Sequence, residues 1–103
     1  KQRSVTAERL YRNDPRVAVR SAGVRTEAVR RLGEADLRWA DVVFAMEREH
    51  KRWIAQRFAH LALPPIEVLD IPDEYEAMDP QLQEQLRALL DPEIDRYRAA
   101  RDT

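Results

Sequence analysis

Apolar positions along the chain change period several times, and each change predicts an element. Val5, Ala7, Leu10 and Tyr11 recur at helical spacing after Ser4, a possible N-cap, and Asn13-Asp14-Pro15 ends the run. Val17-Ala18-Val19-Arg20 reads as a short strand closed by Ser21-Ala22-Gly23. Thr26–Leu32 predicts a short amphipathic helix interrupted at Gly33, and Glu34–Trp39 another turn or two. Asp41-Val42-Val43-Phe44-Ala45-Met46 is the strongest strand, apolar on both faces as a central strand of a parallel sheet should be. Glu47–Phe58 is a charged helix with Trp53, Ile54 and Phe58 available for an inner face, and Ile66–Leu69 is a third strand after Pro64-Pro65. An acidic loop, Asp70–Met78, leads to Asp79-Pro80, an N-cap followed by a first-turn proline. Leu82, Leu86, Leu89 and Leu90 stripe the last helix, and Pro92 predicts a break into a second segment.

Helices and strands alternate, which predicts a three-layer α/β/α fold around a parallel sheet. The 103 residues suit a single domain, with no linker or repeat to divide it. An alternating fold of this kind should open on a strand, whereas this chain opens on a loop and a helix. Three strands are visible, and a fourth is expected ahead of Lys1.

Charge removes several function classes. Eighteen basic residues are offset by nineteen acidic ones, interleaved, so the large basic field that nucleic acid requires is not expected. No apolar run reaches the roughly 18 residues of a membrane span, and no signal peptide is visible. With no cysteine, disulfides, cysteine–zinc sites and thiol chemistry within these residues are excluded, and the cytoplasm is the expected compartment. The two glycines, Gly23 and Gly33, cannot build a glycine-rich nucleotide loop. His50 and His60 are ten residues apart without metal-ligand spacing, and the run Asp70, Asp73, Glu74, Glu76, Asp79 lacks the alternation and mid-loop glycine of a calcium loop. No metal or cofactor is expected. Trp39 and Trp53 read as core residues. Met46 and Glu47 end the main strand, where parallel sheets bind ligands, although packing explains Met46 equally well.

The remaining candidate is Arg3-Ser4 at the front of the first helix. A helix N-terminus offers unpaired N–H groups to an anion, and an arginine can grip two phosphate oxygens at once. A surface arginine and a capping serine would look the same. Four segments in order sharpen the choice. Arg3-Ser4-Val5-Thr6-Ala7-Glu8 resembles the second half of the phosphate loop, C-x5-R-S, of the low-molecular-weight protein tyrosine phosphatases, with the x-x-A-E that follows it. Val19-Arg20-Ser21-Ala22-Gly23 is similar to that family's strand-ending S-A-G. Trp39–Glu47 resembles its A-D-x-[IV]-[FL]-x-M-[ED] strand. Leu69-Asp70-Ile71-Pro72-Asp73-Glu74-Tyr75 resembles its acid loop.

The resemblance implies phosphomonoester hydrolysis, with phosphotyrosine in a protein or a small aryl phosphate as substrate. A cysteine thiolate attacks phosphorus, an arginine and loop amides hold the equatorial oxygens, and an aspartate protonates the leaving phenol. Arg3 is then the catalytic phosphate clamp, with Lys1, Gln2 and Ser4 in the phosphate-binding loop. Asp73 is the general acid, with Asp70 its rival, because Asp73-Glu74-Tyr75 stands where the family has D-P-aromatic. Tyr75 and Met46 line the substrate pocket, and Ser21 supports the loop. The cysteine is expected four residues before Lys1. The alternative is a non-catalytic phosphate-binding module or inactive fragment that keeps Arg3 and has no thiol. Arsenate reduction, which some relatives perform, relays oxidation through further cysteines, and none follows Arg3.

Overall fold

Parallel strands cannot be joined by a tight turn; they need a crossover, usually a helix. In the computed structural model, which describes residues 3–24, 28 and 30–101, the chain supplies one such unit. Strand β1 (Val43–Ala45) runs into a helix (Arg48–Arg57) and returns as β2 (Ile66–Val68). The strands pair in parallel, with Val43 opposite Ile66, Phe44 opposite Glu67 and Ala45 opposite Val68. Backbone bonds carry the pairing beyond the strands: Val43 N–H donates to the Pro65 carbonyl (2.9 Å), Leu69 N–H to Ala45 (2.8 Å) and Ile71 N–H to Met46 (3.1 Å).

The other helices are α1 (Arg3–Tyr11), α2 (Glu34–Trp39) and α4 (Pro80–Arg101), with Arg48–Arg57 as α3. The chain is α/β and forms two compact units, Lys1–Ser21 with Asp73–Thr103, and Ala22–Pro72. In the second, Leu37, Ile54 and Phe58 are buried together, packed by Val43, Ile66, Trp53 and Leu63 among others. Trp53 meets the Phe58 ring edge-on at 5.9 Å. Each such side chain contributes about 1.5–3 kcal/mol by leaving water. In the first unit, α1 packs on α4. Leu82, Leu86, Leu90 and Ile94, spaced by four, form the buried stripe of α4.

Several expectations are corrected. Val17–Arg20 forms no strand; the Val17 N–H donates to the Asp14 carbonyl (3.3 Å) in a turn, so it is not free for a ladder. Of Thr26–Leu32, residues 26, 27 and 29 lie outside the described residues, and the rest is not helical. There Gly23 and Arg31 form a parallel bridge, with Gly23 N–H donating to the Arg30 carbonyl (2.8 Å) and Leu32 N–H to that of Gly23 (2.9 Å). Those bonds occupy groups a helix would need. The sheet has two strands among the described residues, not three. Ser4 lies within α1 and so does not cap it. Helix α4 continues through Pro92. The proline removes the bond to the Ala88 carbonyl, but continuing lets Ile94 join the stripe and keeps Asp91 and Asp95 both on Arg16. Leu89 and Trp39 are exposed, at 40% and 42%, because neither falls on its helix's buried face.

Asp79 and Pro80 start α4 as expected: the Asp79 carboxylate accepts the Gln81 N–H at 2.8 Å. Helix α2 starts at Gly33, whose N–H donates to the Asp36 carboxylate (3.0 Å). Among the described residues no helix is long and apolar enough to cross a membrane.

Candidate functional site

Two of the residues singled out in the sequence, Arg3 and Asp73, meet in the first unit. Arg3 is the first residue of α1 and is 7% exposed, one of only two buried polar or charged side chains among the described residues. A guanidinium cannot shed its proton, so its burial requires a counter-charge. Asp73 provides one: its Oδ1 lies 3.6 Å from Arg3 Nε. At that separation the contact is an ion pair rather than a formed hydrogen bond. Asp73 keeps 34% of its side chain in solvent against 8% for Arg3, so the acid faces outward and the base inward.

The loop carrying Asp73 is fastened at its far end. Met78 has φ 61°, a left-handed conformation costing a bulky residue roughly 1–2 kcal/mol. Both its backbone polar groups are held: its N–H donates to Thr6 Oγ1 (3.0 Å) and its carbonyl accepts from Gln83 Nε2 (2.7 Å). Thr6 is fully buried, one turn along α1 from Arg3. It was not among the residues singled out from sequence, and its signal was modest: a polar residue on the buried face of a helix, three positions from an arginine. Tyr75, on the same loop, is half-buried.

Ser21 donates from Oγ to Glu8 Oε1 at 2.6 Å, which ties it to α1. Ser4 is half-buried in the first turn of α1. Lys1 and Gln2 lie outside the described residues. Met46 and Asp70 belong to the second unit. Met46 is buried, its carbonyl accepting the Ile71 N–H, and Asp70 is exposed with φ 58°. His60 is exposed and lies 3.1 Å from Glu34, which it holds below the ordinary carboxylate range.

A second charged cluster sits at the other end of α1. Arg16 meets Asp14 (2.8 Å), Asp91 (3.0 Å) and Asp95 (3.1 Å), and the Tyr11 hydroxyl donates to Asp91 (2.8 Å). Burial, and then the hydrogen bond to Asp91, push the Tyr11 hydroxyl up to about 12. Hydrogen bonds from Arg16 lower Asp14 to about 2. Burial alone would raise Asp91, but the Tyr11 hydroxyl and Arg16 outweigh it and lower it. Arg87 lies over the Tyr11 ring at 5.1 Å. An open groove of about 510 Å³ runs beside these residues, lined by Arg9, Asn13, Arg16 and Arg87 among others. Arg16 is already matched by three carboxylates, so this cluster ties α1 to α4 rather than awaiting an anion.

No family model, curated protein or solved structure matches the chain.

Proposed function

We propose that the chain carries the phosphate clamp and acid loop of a phosphomonoester hydrolase of the low-molecular-weight tyrosine phosphatase type. Its substrate would be phosphotyrosine in a protein. The observation that supports this most is the pairing of a buried arginine, at the start of a helix, with an outward-facing aspartate from a loop more than 60 residues away. The finer fold belongs to the same proposal: a three-layer domain whose sheet of about four strands gains its first strand ahead of Lys1.

In this reading Arg3 and the α1 N-terminus bind the equatorial oxygens of the phosphoryl group and offset the charge that builds on them. Asp73, turned outward, delivers a proton to the departing phenolate oxygen and later takes one from the attacking water. The Arg3–Asp73 pair shields both charges while no phosphate is present; when the phosphoryl group takes Arg3, Asp73 is released from its cation and takes up from solvent the proton it delivers. Tyr75 flanks the ring of the leaving group. The nucleophile is a cysteine thiolate expected ahead of Lys1.

A second reading keeps Arg3 and the α1 N-terminus and uses no thiol: a module that binds phosphate or phosphotyrosine without turnover. Two measurements separate the readings. Phosphate binding to the 103-residue chain, followed by calorimetry, should be lost in Arg3→Ala. Aryl phosphate hydrolysis by the natural polypeptide containing these residues should fall about 10²–10⁴-fold in Asp73→Asn, with phosphate binding kept. Binding without hydrolysis selects the module, and neither binding nor hydrolysis refutes both.

A further inference from the structure

Thr6 is left without a role by the clamp and acid chemistry, yet it is the most deeply buried polar side chain described. It shares the buried face of α1 with Arg3, three residues away, and each of the two reaches the same loop. Arg3 meets the loop at its start, Asp73, and Thr6 meets it at its end, the Met78 amide. Met78 adopts its left-handed conformation between two bonds, one to Thr6 on α1 and one from Gln83 on α4. A residue held this way cannot rotate without releasing one of them, so the segment 73–78 is tied to α1 at both ends.

We propose that Thr6 is a positioning residue for Asp73: by accepting the Met78 N–H, its hydroxyl oxygen sets the loop against α1 so that the Asp73 carboxylate stands beside Arg3. That Asp73 then serves as a general acid rests on the phosphatase reading; the positioning itself does not. At 3.6 Å the Arg3–Asp73 pair is already longer than a formed hydrogen bond. A small displacement of the loop would separate the pair.

The test uses nitrogen-15 spectra of the 103-residue chain. Thr6→Val keeps the shape of the side chain and removes the acceptor; Thr6→Ser keeps the acceptor. In Thr6→Val the Met78 amide should exchange about tenfold faster or more, the loss of one such hydrogen bond. The Arg3 Nε–H resonance should move toward its position in Asp73→Asn, and adding Thr6→Val to Asp73→Asn should move it no further. Thr6→Ser should leave both signals in place. Thr6→Ala reads the same two signals should the valine variant not fold. An Arg3 resonance unmoved in a folded Thr6→Val or Thr6→Ala chain overturns the proposal, as does an equal movement in the Asp73→Asn background. In the natural polypeptide Thr6→Val should lower kcat for aryl phosphates with poor leaving groups while KM holds, and Thr6→Ser should restore it. Absence of turnover in the unsubstituted protein would remove the general-acid role, and the Arg3 resonance would still decide the positioning.

Discussion

Both units bury apolar side chains, Leu82, Leu86, Leu90 and Ile94 in the first and Leu37, Ile54 and Phe58 in the second, and they differ in the polar bonds added to them. In Ala22–Pro72, Leu37, Ile54 and Phe58 pack with their neighbours under one parallel strand pair, and the contacts come from one continuous stretch of chain. In the first unit two stretches about fifty residues apart are joined, and named polar bonds recur along the seam: Arg3 to Asp73, Thr6 to Met78, Tyr11 to Asp91, Arg16 to Asp91 and Asp95. Apolar contact is tolerant of pH and salt and indifferent to direction. Hydrogen bonds and ion pairs specify which atoms meet and depend on protonation and screening. A unit that must bring an arginine and an aspartate to one place gains from the second kind. Both units should answer to changes of core volume, and the first should answer to pH and salt more than the second.

The strongest challenge to that contrast is Phe58→Ala. It should cost about 3–5 kcal/mol, because the ring fills the middle of the Leu37–Ile54 cluster. Chemical denaturation with hydrogen exchange would show it: amides of β1, α3 and β2 should lose protection first. Equal early loss in α4 would mean the two units do not differ as described.

A smaller effect tests the seam. Tyr11 is raised to about 12 in the folded chain, above its ordinary value of about 10. The unfolded chain therefore gives up this proton first. The stability Tyr11 contributes is fully present below about pH 10 and is lost as pH climbs to about 12. Tyr11→Phe should flatten that alkaline decline and lower stability near neutrality by about 1 kcal/mol, the worth of one hydrogen bond. Asp14 and Asp91, both lowered, predict the opposite limb: their contribution is present above the ordinary carboxylate range of about 4 and is lost at lower pH, that of Asp14 as pH falls toward about 2. An alkaline limb as steep in Tyr11→Phe as in the parent would assign the sensitivity elsewhere.

The least effect is expected from Arg16→Gln. Its partners are partly solvated, so the loss should be the smallest of the three and shrink further in molar salt. Thermal melts at low and high salt would measure it, and a loss unchanged by salt would give Arg16 a packing role instead.

Much of the fold was legible in the sequence where one stretch of chain carries its own instruction. Asp79-Pro80 marks the start of α4, the apolar run before Glu47 marks β1, and the 3.6-residue period marks α3. The errors fall where a partner decides. Val17–Arg20 has the composition of a strand, but a strand exists only if another lies beside it, and the Val17 amide is used in a turn. Pro92 looked like an end because proline ends helices locally, whereas burial of Ile94 and the grip of Arg16 on both flanks outweigh one lost bond. Gly23 stood out only as part of a short motif. A Cβ there would come 2.5 Å from that of Ala28, which gives the glycine a steric reason.

The candidate site divides the same way. Sequence alone marked Arg3 by its residue type at a helix start, and Asp73 by its place in a segment that resembles the acid loop of the phosphatase family. It offered Asp70 as a rival, ranked behind Asp73. The meeting of Arg3 with Asp73, the burial of one and exposure of the other, and the Thr6 bond that fastens the loop were decided by tertiary structure. Local spacing determines which face of a helix a residue occupies. Which distant atom comes to that face depends on the path of the whole chain.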